Sequence, residues 1–428
     1  MKLHTQESLE NWLDEHLESP LDGQGKYWFP LTLPTYGKEE IAAAVATMCD
    51  YRTSMGTLTR MFERQFAAYV GAHDAVMVNS GSSADLLLAF QLINPNHPRL
   101  QPGDEVLVPA VTWPTQVWSP LMAGLQVKLV DVDPSTLNVD LDDLRRRITP
   151  RTKCLFAVHL MGNPCEMDEL LQVCQEYGLL LIEDCCESLG ARYGDRHVGT
   201  FGLGGSFSFF FSHHMTTMEG GMVTCQSEED ADAIRVLRAH GWTRGINNQA
   251  SVSSLGQGLD ERFRFINWGF NVRPTELQAA FGIEQLKKLD AMSMRRTELA
   301  ERFYQFVDSS PYLRRFDTPA AGTASPFALV VRLCGDAATE RSALLASLDR
   351  AGVETRPIVT GNFARQPAAK LLGEINPADY PGAEAVHEDG FYVGLSPMFD
   401  DLIVERLIRT LEQSLNETVT KPRLRRAS

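Results

Sequence analysis

Between residues 75 and 182 the chain repeats one pattern: a short apolar run, then a longer amphipathic stretch. The apolar runs fall at 75–78, 105–108, 127–130, 154–158 and 179–182, and helix-like segments at 84–93, 141–146 and 167–177 lie between several of them. Such alternation demands right-handed crossovers and a mainly parallel sheet, so the fold class is α/β. Further strands are expected at 207–211 and 222–224, and a long helix over 275–288. Residues 245–258, rich in Ser, Gly, Asn and Gln, read as a mobile loop. The division that follows is a helical leader over 1–35, a large domain over 36–288, a smaller C-terminal α/β domain over 289–415 and a basic tail over 416–428. No internal repeat is visible.

Charge narrows the partners. The net charge of −15 argues against nucleic acid, because neutralising phosphates takes a basic surface. An anionic small ligand must then be met by local arginines and backbone amides. The basic run from Lys421 to Arg426 reads as a solvated end. Residues 1–28 are polar and acidic, unlike a signal peptide, and no apolar run reaches the roughly 18 residues of a membrane helix. A cytoplasmic protein with eight reduced cysteines is expected, with no membrane partner. No CxxC or CxC pair occurs, so no metal site is expected.

Candidate chemistry gathers where the strands end. Asn79-Ser80-Gly81-Ser82-Ser83 joins an apolar run to a helix, a place where backbone amides meet a phosphate; an ordinary capped turn has the same composition. Ser208, five residues before His213, adds a hydroxyl that can join such a site. Asp184 leaves a buried run in Ile182-Glu183-Asp184, which suits either a helix cap or a partner for a pyridinium nitrogen. Trp113 suits either a core position or a stack on a flat ring.

In order and spacing these segments resemble the DegT/DnrJ/EryC1/StrS family of sugar aminotransferases over about residues 30–415. The matching stretches are Met55-Gly56, 79–83, 108–113, 131–134, 158–162, 183–190, 207–221, 269–285 and 354–367. The resemblance implies the aspartate-aminotransferase fold (fold type I), pyridoxal 5'-phosphate (PLP) as cofactor, and a homodimer with shared active sites. It also implies that Gly81, Ser82 and Ser208 hold the cofactor phosphate, Asp184 pairs with the ring nitrogen and Trp113 stacks on the ring. Glu187 would face the ring's phenolic side, and Asn271 would reach the phosphate of the neighbouring subunit's cofactor.

One position departs from the family. Its aminotransferases read Lys-Asn-x-x-x-x-Glu-Gly-Gly where this chain has His213-His214 before Glu219-Gly220-Gly221, and no lysine occurs between Lys153 and Lys287. Imidazole cannot tether PLP, so the cofactor would be held noncovalently, in its amine form, pyridoxamine 5'-phosphate. With an ordinary pKa of about 6.5, His213 can serve as general base. The pattern, together with Cys185-Cys186 after Glu183-Asp184, resembles the family's sugar 3-dehydratases. One branch makes colitose from a GDP-4-keto-6-deoxy-mannose with glutamate as amino donor. Another makes ascarylose precursors from a CDP sugar and carries a 2Fe–2S cluster. Residues 240–258 contain no cysteine, so four thiolates are not at hand and no iron–sulfur cluster is expected.

Arg244, Arg273 and Arg356 are candidates for a nucleotide sugar's phosphates or glutamate's carboxylates, exposed ion pairs being the plain alternative. Asn362 lies in a stretch whose match suggests a substrate-side loop. His159 and His240 read as structural, and His214, if on a strand, would point away from His213. A sugar aminotransferase using histidine and an inactive partner subunit are the competing functions.

Overall fold

The computed structural model describes residues 6–17, 25–253, 255 and 258–420. Helix α1 (Gln6–His16) packs Leu9 and Leu13 on Ala42 of α2 (Lys38–Cys49), and α3 (Thr57–Val70) follows. The alternation then appears as read: β1 (Asp74–Val78), α4 (Gly81–Leu92), β2 (Glu105–Pro109), α5 (Pro114–Met122), β3 (Gln126–Val130), α6 (Leu141–Arg147), β4 (Thr152–Val158), α7 (Met167–Tyr177) and β5 (Leu180–Asp184). A short hairpin of β6 (Arg192–Tyr193) and β7 (Arg196–His197) leads to β8 (Gly204–Ser208), β9 (Gly221–Cys225), α8 (Glu228–Arg238) and α9 (Glu276–Ser309). The C-terminal strands are β10 (Leu313–Arg314), β11 (Gly322–Thr323), β12 (Leu329–Leu333), β13 (Thr355–Arg356) and β14 (Gly390–Val393).

Seven strands form the main sheet in the order β1-β9-β8-β5-β4-β2-β3. Only β9 runs against its neighbours. Successive residues feed opposite faces: Val76 and Val78 enter one core while Ala75 and Met77 enter another, and Val106 and Val108 oppose Leu107. Burial on both faces explains why these strands read as continuous apolar runs. A second, antiparallel sheet, β10-β12-β14-β13, carries its own core. β11 pairs with the β6–β7 hairpin in a third.

Four expectations needed correction. The strand expected at 207–211 is Gly204–Ser208. Its two glycines argue against a strand by propensity, yet a Cβ at Gly205 would lie 2.5 Å from the Gly199 Cα, so close packing selects them. Among the described residues the leader is helical over Gln6–His16; Phe29 and Leu33 belong to the C-terminal core, with Phe29 against Phe399 at 4.7 Å. The helix expected over 275–288 runs on to Ser309, so the boundary drawn at 288/289 falls inside it. Its buried stripe of Leu289, Met292, Arg296, Leu299, Phe303 and Val307 continues at helical spacing past Lys287-Lys288. Residues 245–253 also hold more order than a bare loop: a 3-10 turn, Gln249–Val252, follows a segment whose Asn247 and Asn248 amides donate to Asp232 at 2.7 and 2.8 Å. Residues 421–428 of the basic tail lie outside the described residues. Among the described residues no helix is long and apolar enough to cross a membrane.

Gly162 shows how tightly the two sheets are joined. Its φ is +88°, and a Cβ there would sit 1.8 Å from the Ser325 carbonyl oxygen. Gly162→Ala should therefore cost about 2–4 kcal/mol, combining left-handed strain with a backbone clash. A fall in the urea midpoint at unchanged slope measures it.

Candidate active site

The parallel strands β1, β2, β4, β5 and β8 all finish at one edge of the sheet, and β9 starts there because it runs the other way. Open α/β sheets bind ligands at this edge. Ser80 caps α4 by accepting a hydrogen bond from the Ser83 amide at 3.1 Å, which leaves the first-turn amides of Gly81 and Ser82 facing outward. Gly81 is needed: a Cβ would lie 2.6 Å from the Ser208 Cβ and 2.9 Å from the Cys186 Sγ. The Ser208 Oγ accepts from the Phe210 amide at 3.3 Å. Gly81 and Ser208 thus stand side by side at the start of α4, with Ser82 next in the same first turn.

Trp113 stands at the start of α5 ahead of Pro114 and is 54% exposed, an unusual state for so large an apolar side chain. Asp184, at the tip of β5, is buried; its Oδ1 accepts from the Cys186 amide at 2.7 Å and its Oδ2 from the Gln116 side chain. The Glu187 Oε2 accepts from the Met161 amide at 3.1 Å, and burial pushes its pKa up to about 7. Outward helix amides, a cradle that a side chain would fill, an open indole and a buried carboxylate without a cation fit a phosphate, a flat ring and a protonated ring nitrogen.

His213 lies in the loop between β8 and β9, not on a strand; the loop is closed by Phe209–Gly220 and Thr217–Phe209 backbone bonds of 2.9 Å. Its half-buried ring meets Phe327 edge-on at 5.1 Å and Phe210 at 5.9 Å. The Nδ1 has no hydrogen-bond partner among the described residues, so neither tautomer is locked. Burial, and then the Arg296 guanidinium, lowers its pKa to about 3, which keeps the ring neutral and able to accept a proton. His214 is fully buried and its Nε2 faces the Ser325 carbonyl at 3.0 Å, a structural contact. His159 is also structural: its Nδ1 accepts from the Cys165 amide at 3.0 Å, which places the proton on Nε2, facing Glu183. The exposed His240 takes a positive φ of 64° at a turn.

A cleft of about 770 Å³ lies beside the start of α3 and α9. Arg60, Arg64, Arg244, Arg273 and Asn271 line it, and those four arginines have no carboxylate partner among the described residues. Asn271 accepts from the Arg273 Nε at 2.9 Å. In a chain of net charge −15 this is local positive potential, as an anion requires. Arg356 is exposed on β13 and bonded to Glu354 at 2.7 Å. Asn362 corrects its expectation: it is fully buried, and its amide donates to Glu384 and to the Pro377 carbonyl, so it shapes its loop and presents nothing to a ligand.

Residues 34–412 match the DegT/DnrJ/EryC1/StrS aminotransferase family. The chain belongs to this family. Among its relatives, GDP-4-keto-6-deoxy-D-mannose 3-dehydratase of Yersinia pseudotuberculosis is 38% identical over 86% of this chain and 93% of its own. The fold superposes on Escherichia coli GDP-4-keto-6-deoxy-D-mannose-3-dehydratase with bound hydrated PLP, with a TM-score of 0.85, 36% identity and coverage of 90% of this chain and 99% of that one. A further structure of GDP-4-keto-6-deoxymannose-3-dehydratase, with a trapped PLP-glutamate geminal diamine, gives a TM-score of 0.85 at 37% identity, covering 90% and 100%. The aspartate-aminotransferase fold and dependence on PLP are thereby shown.

Three residues of this family member's site escaped the sequence reading. Asp85 and Gln116 sit beside Asp184; the signal for Asp85 was visible, a lone acid in the apolar run 84–93. Arg296 gave no signal within its charged neighbourhood. It is 1% exposed, has no carboxylate partner among the described residues, and donates to the carbonyls of His213 and Phe327, both at 3.3 Å, and of Leu395.

Proposed function

We propose that the chain is a nucleotide-sugar 3-dehydratase, removing the C3 hydroxyl of a 4-keto-6-deoxy sugar nucleotide with glutamate as amino donor. His213 carries this reading: imidazole stands in the family's lysine column, and among the described residues no amine substitutes for it. Lys26, Lys38, Lys128, Lys287 and Lys288 are paired with carboxylates, Lys153 bonds the Pro150 carbonyl, Lys370 lies in the turn Pro367–Leu372, and Lys2 and Lys421 lie outside the described residues.

The bound cofactor in its amine form supplies the nitrogen that condenses with the sugar ketone and the electrons that expel the hydroxyl. The chain supplies the rest. Gly81, Ser82 and Ser208 bind the phosphate. Trp113 covers the ring and excludes water. The Asp184 carboxylate holds a proton at the ring nitrogen, and Glu187 bonds the phenolic side. His213 takes the proton from the cofactor's benzylic carbon and returns it to the departing C3 oxygen. An anionic ligand opposes the charge of Arg296 and so moves the imidazole pKa back toward neutrality, where a base works best. Arg244 and Arg356 meet the anionic substrate. We further infer a cytoplasmic homodimer in which Asn271 reaches the partner's cofactor phosphate; the unpaired arginines around Asn271 support this.

The test is incubation with PLP, glutamate and a panel of 4-keto-6-deoxy nucleotide sugars, followed by mass spectrometry. A dehydratase returns a sugar lighter by one oxygen, with ammonia and 2-oxoglutarate. An aminotransferase returns an amino sugar and no ammonia, which would overturn the reading. An inactive partner subunit converts neither sugar nor cofactor.

A further inference from the structure

Asp85 of α4 is 1% exposed, and Asp184 at the end of β5 is 4% exposed. Carboxylate oxygens of the two lie within 4.8 Å of each other and of the Cys186 Sγ. Both lean on one donor: the Gln116 Nε2 bonds the Asp85 Oδ2 at 2.9 Å and also the Asp184 Oδ2. The Gln116 Oε1 accepts from the Thr112 hydroxyl at 2.9 Å, which turns the Nε2 toward the two carboxylates. Thr115 adds a second donor to the Asp85 Oδ2 at 2.7 Å, while the Asp85 Oδ1 is buried with no hydrogen bond of ordinary geometry among the described residues; the Ser206 hydroxyl acts on both carboxylates. No lysine or arginine bridges either carboxylate among the described residues.

Two buried carboxylates sharing one amide and no cation do not both stay ionised; one proton is kept between them. Geometry says where. Asp184 has the backbone amide of Cys186 on one oxygen and Gln116 on the other, a set that favours the anion. Asp85 has both donors on Oδ2, which leaves Oδ1 for the proton. Burial first, and then the charge of Asp184, holds Asp85 well above the usual carboxylate range, while burial raises Asp184 less. The titratable groups facing Asp85 are Asp184 and Cys186, and His159 adds its field at Asp184.

We propose that Asp85 is a positioning residue that stays a neutral acid and, through the Gln116 amide, holds Asp184 as the one ionised carboxylate beneath the cofactor's ring nitrogen. This rests on the reading that Asp184 pairs with that nitrogen, and the experiment separates the two.

Three variants, Asp85→Asn, Asp85→Leu and Asp184→Asn, are compared with the unmodified enzyme at pH 7. The readouts are the infrared carbonyl band of a protonated carboxylic acid in the cofactor-free protein, the absorption spectrum of bound pyridoxamine phosphate, and its dissociation constant. Asparagine imitates a neutral acid, so Asp85→Asn should lose one acid band yet keep the cofactor spectrum and bind within about twofold. Asp85→Leu strands Gln116 and should bind at least about tenfold more weakly with a shifted spectrum. Asp184→Asn should shift the spectrum. If Asp85→Asn leaves the acid band intact, or shifts the spectrum as Asp184→Asn does, Asp85 is an ionised group and the proposal fails. If Asp184→Asn leaves the spectrum unmoved, the parent reading of Asp184 fails and takes the proposal with it.

Discussion

The His213→Asn variant should fold, bind its cofactor and be nearly inert. The Nδ1 of His213 has no hydrogen-bond partner among the described residues and the loop is closed by backbone bonds, so losing the ring's contacts with Phe327 and Phe210 should cost no more than about 1 kcal/mol. The reaction loses its proton acceptor, which costs about 10²- to 10⁴-fold in kcat. Single-turnover assays should show the loss in sugar deoxygenation and in the glutamate-driven return of the amine cofactor alike, since both move a proton at the same carbon. His213→Lys should behave differently: borohydride should then fix the cofactor to the protein, and C3–O cleavage should remain absent. The pH profile adds a check. Burial and Arg296 depress the imidazole pKa, so its base form persists in acid. The His213 limb of kcat/KM in the free enzyme therefore falls below the ordinary value of about 6.5. A limb at or above that value would assign the proton transfer to another group.

Asp184→Ala should be as damaging by a different route. A carboxylate beside a pyridinium raises the nitrogen's pKa by roughly 1–3 units. Its removal should cut the protonated fraction, and the rate that depends on it, by about 10- to 10³-fold at neutral pH and above. The loss should shrink as pH falls, because solution protons then do what Asp184 no longer does. A deficit independent of pH would mean that Asp184 only braces the Cys186 turn, whose amide it accepts.

The parts of this molecule that could be read in advance are those in which local pattern and final role coincide. β1 to β5 are buried on both faces and announce themselves as apolar runs; Ser80, Gly81 and Asp184 stand where strands hand over to helices. What was missed depends on distant partners. The glycines of β8 are chosen by Gly199 and Thr224 across the packing, not by strand propensity. Phe29 joins a core formed mostly by residues more than 250 positions away. Asn362 resembles a ligand residue until Glu384, 22 positions on, is seen to take its amide. Arg296 is hidden for the same reason: a guanidinium whose partners are carbonyls leaves no complementary acid to find.

Helix α9 is a rod of 34 residues, about 50 Å long, that starts against the large sheet and ends in the C-terminal core. Part-way along it, Arg296 grips carbonyls from the His213 loop and from both flanks of the small sheet. The latch between the two halves is therefore also the mount of the imidazole. Any displacement of the small half should therefore be felt at the His213 carbonyl through one guanidinium.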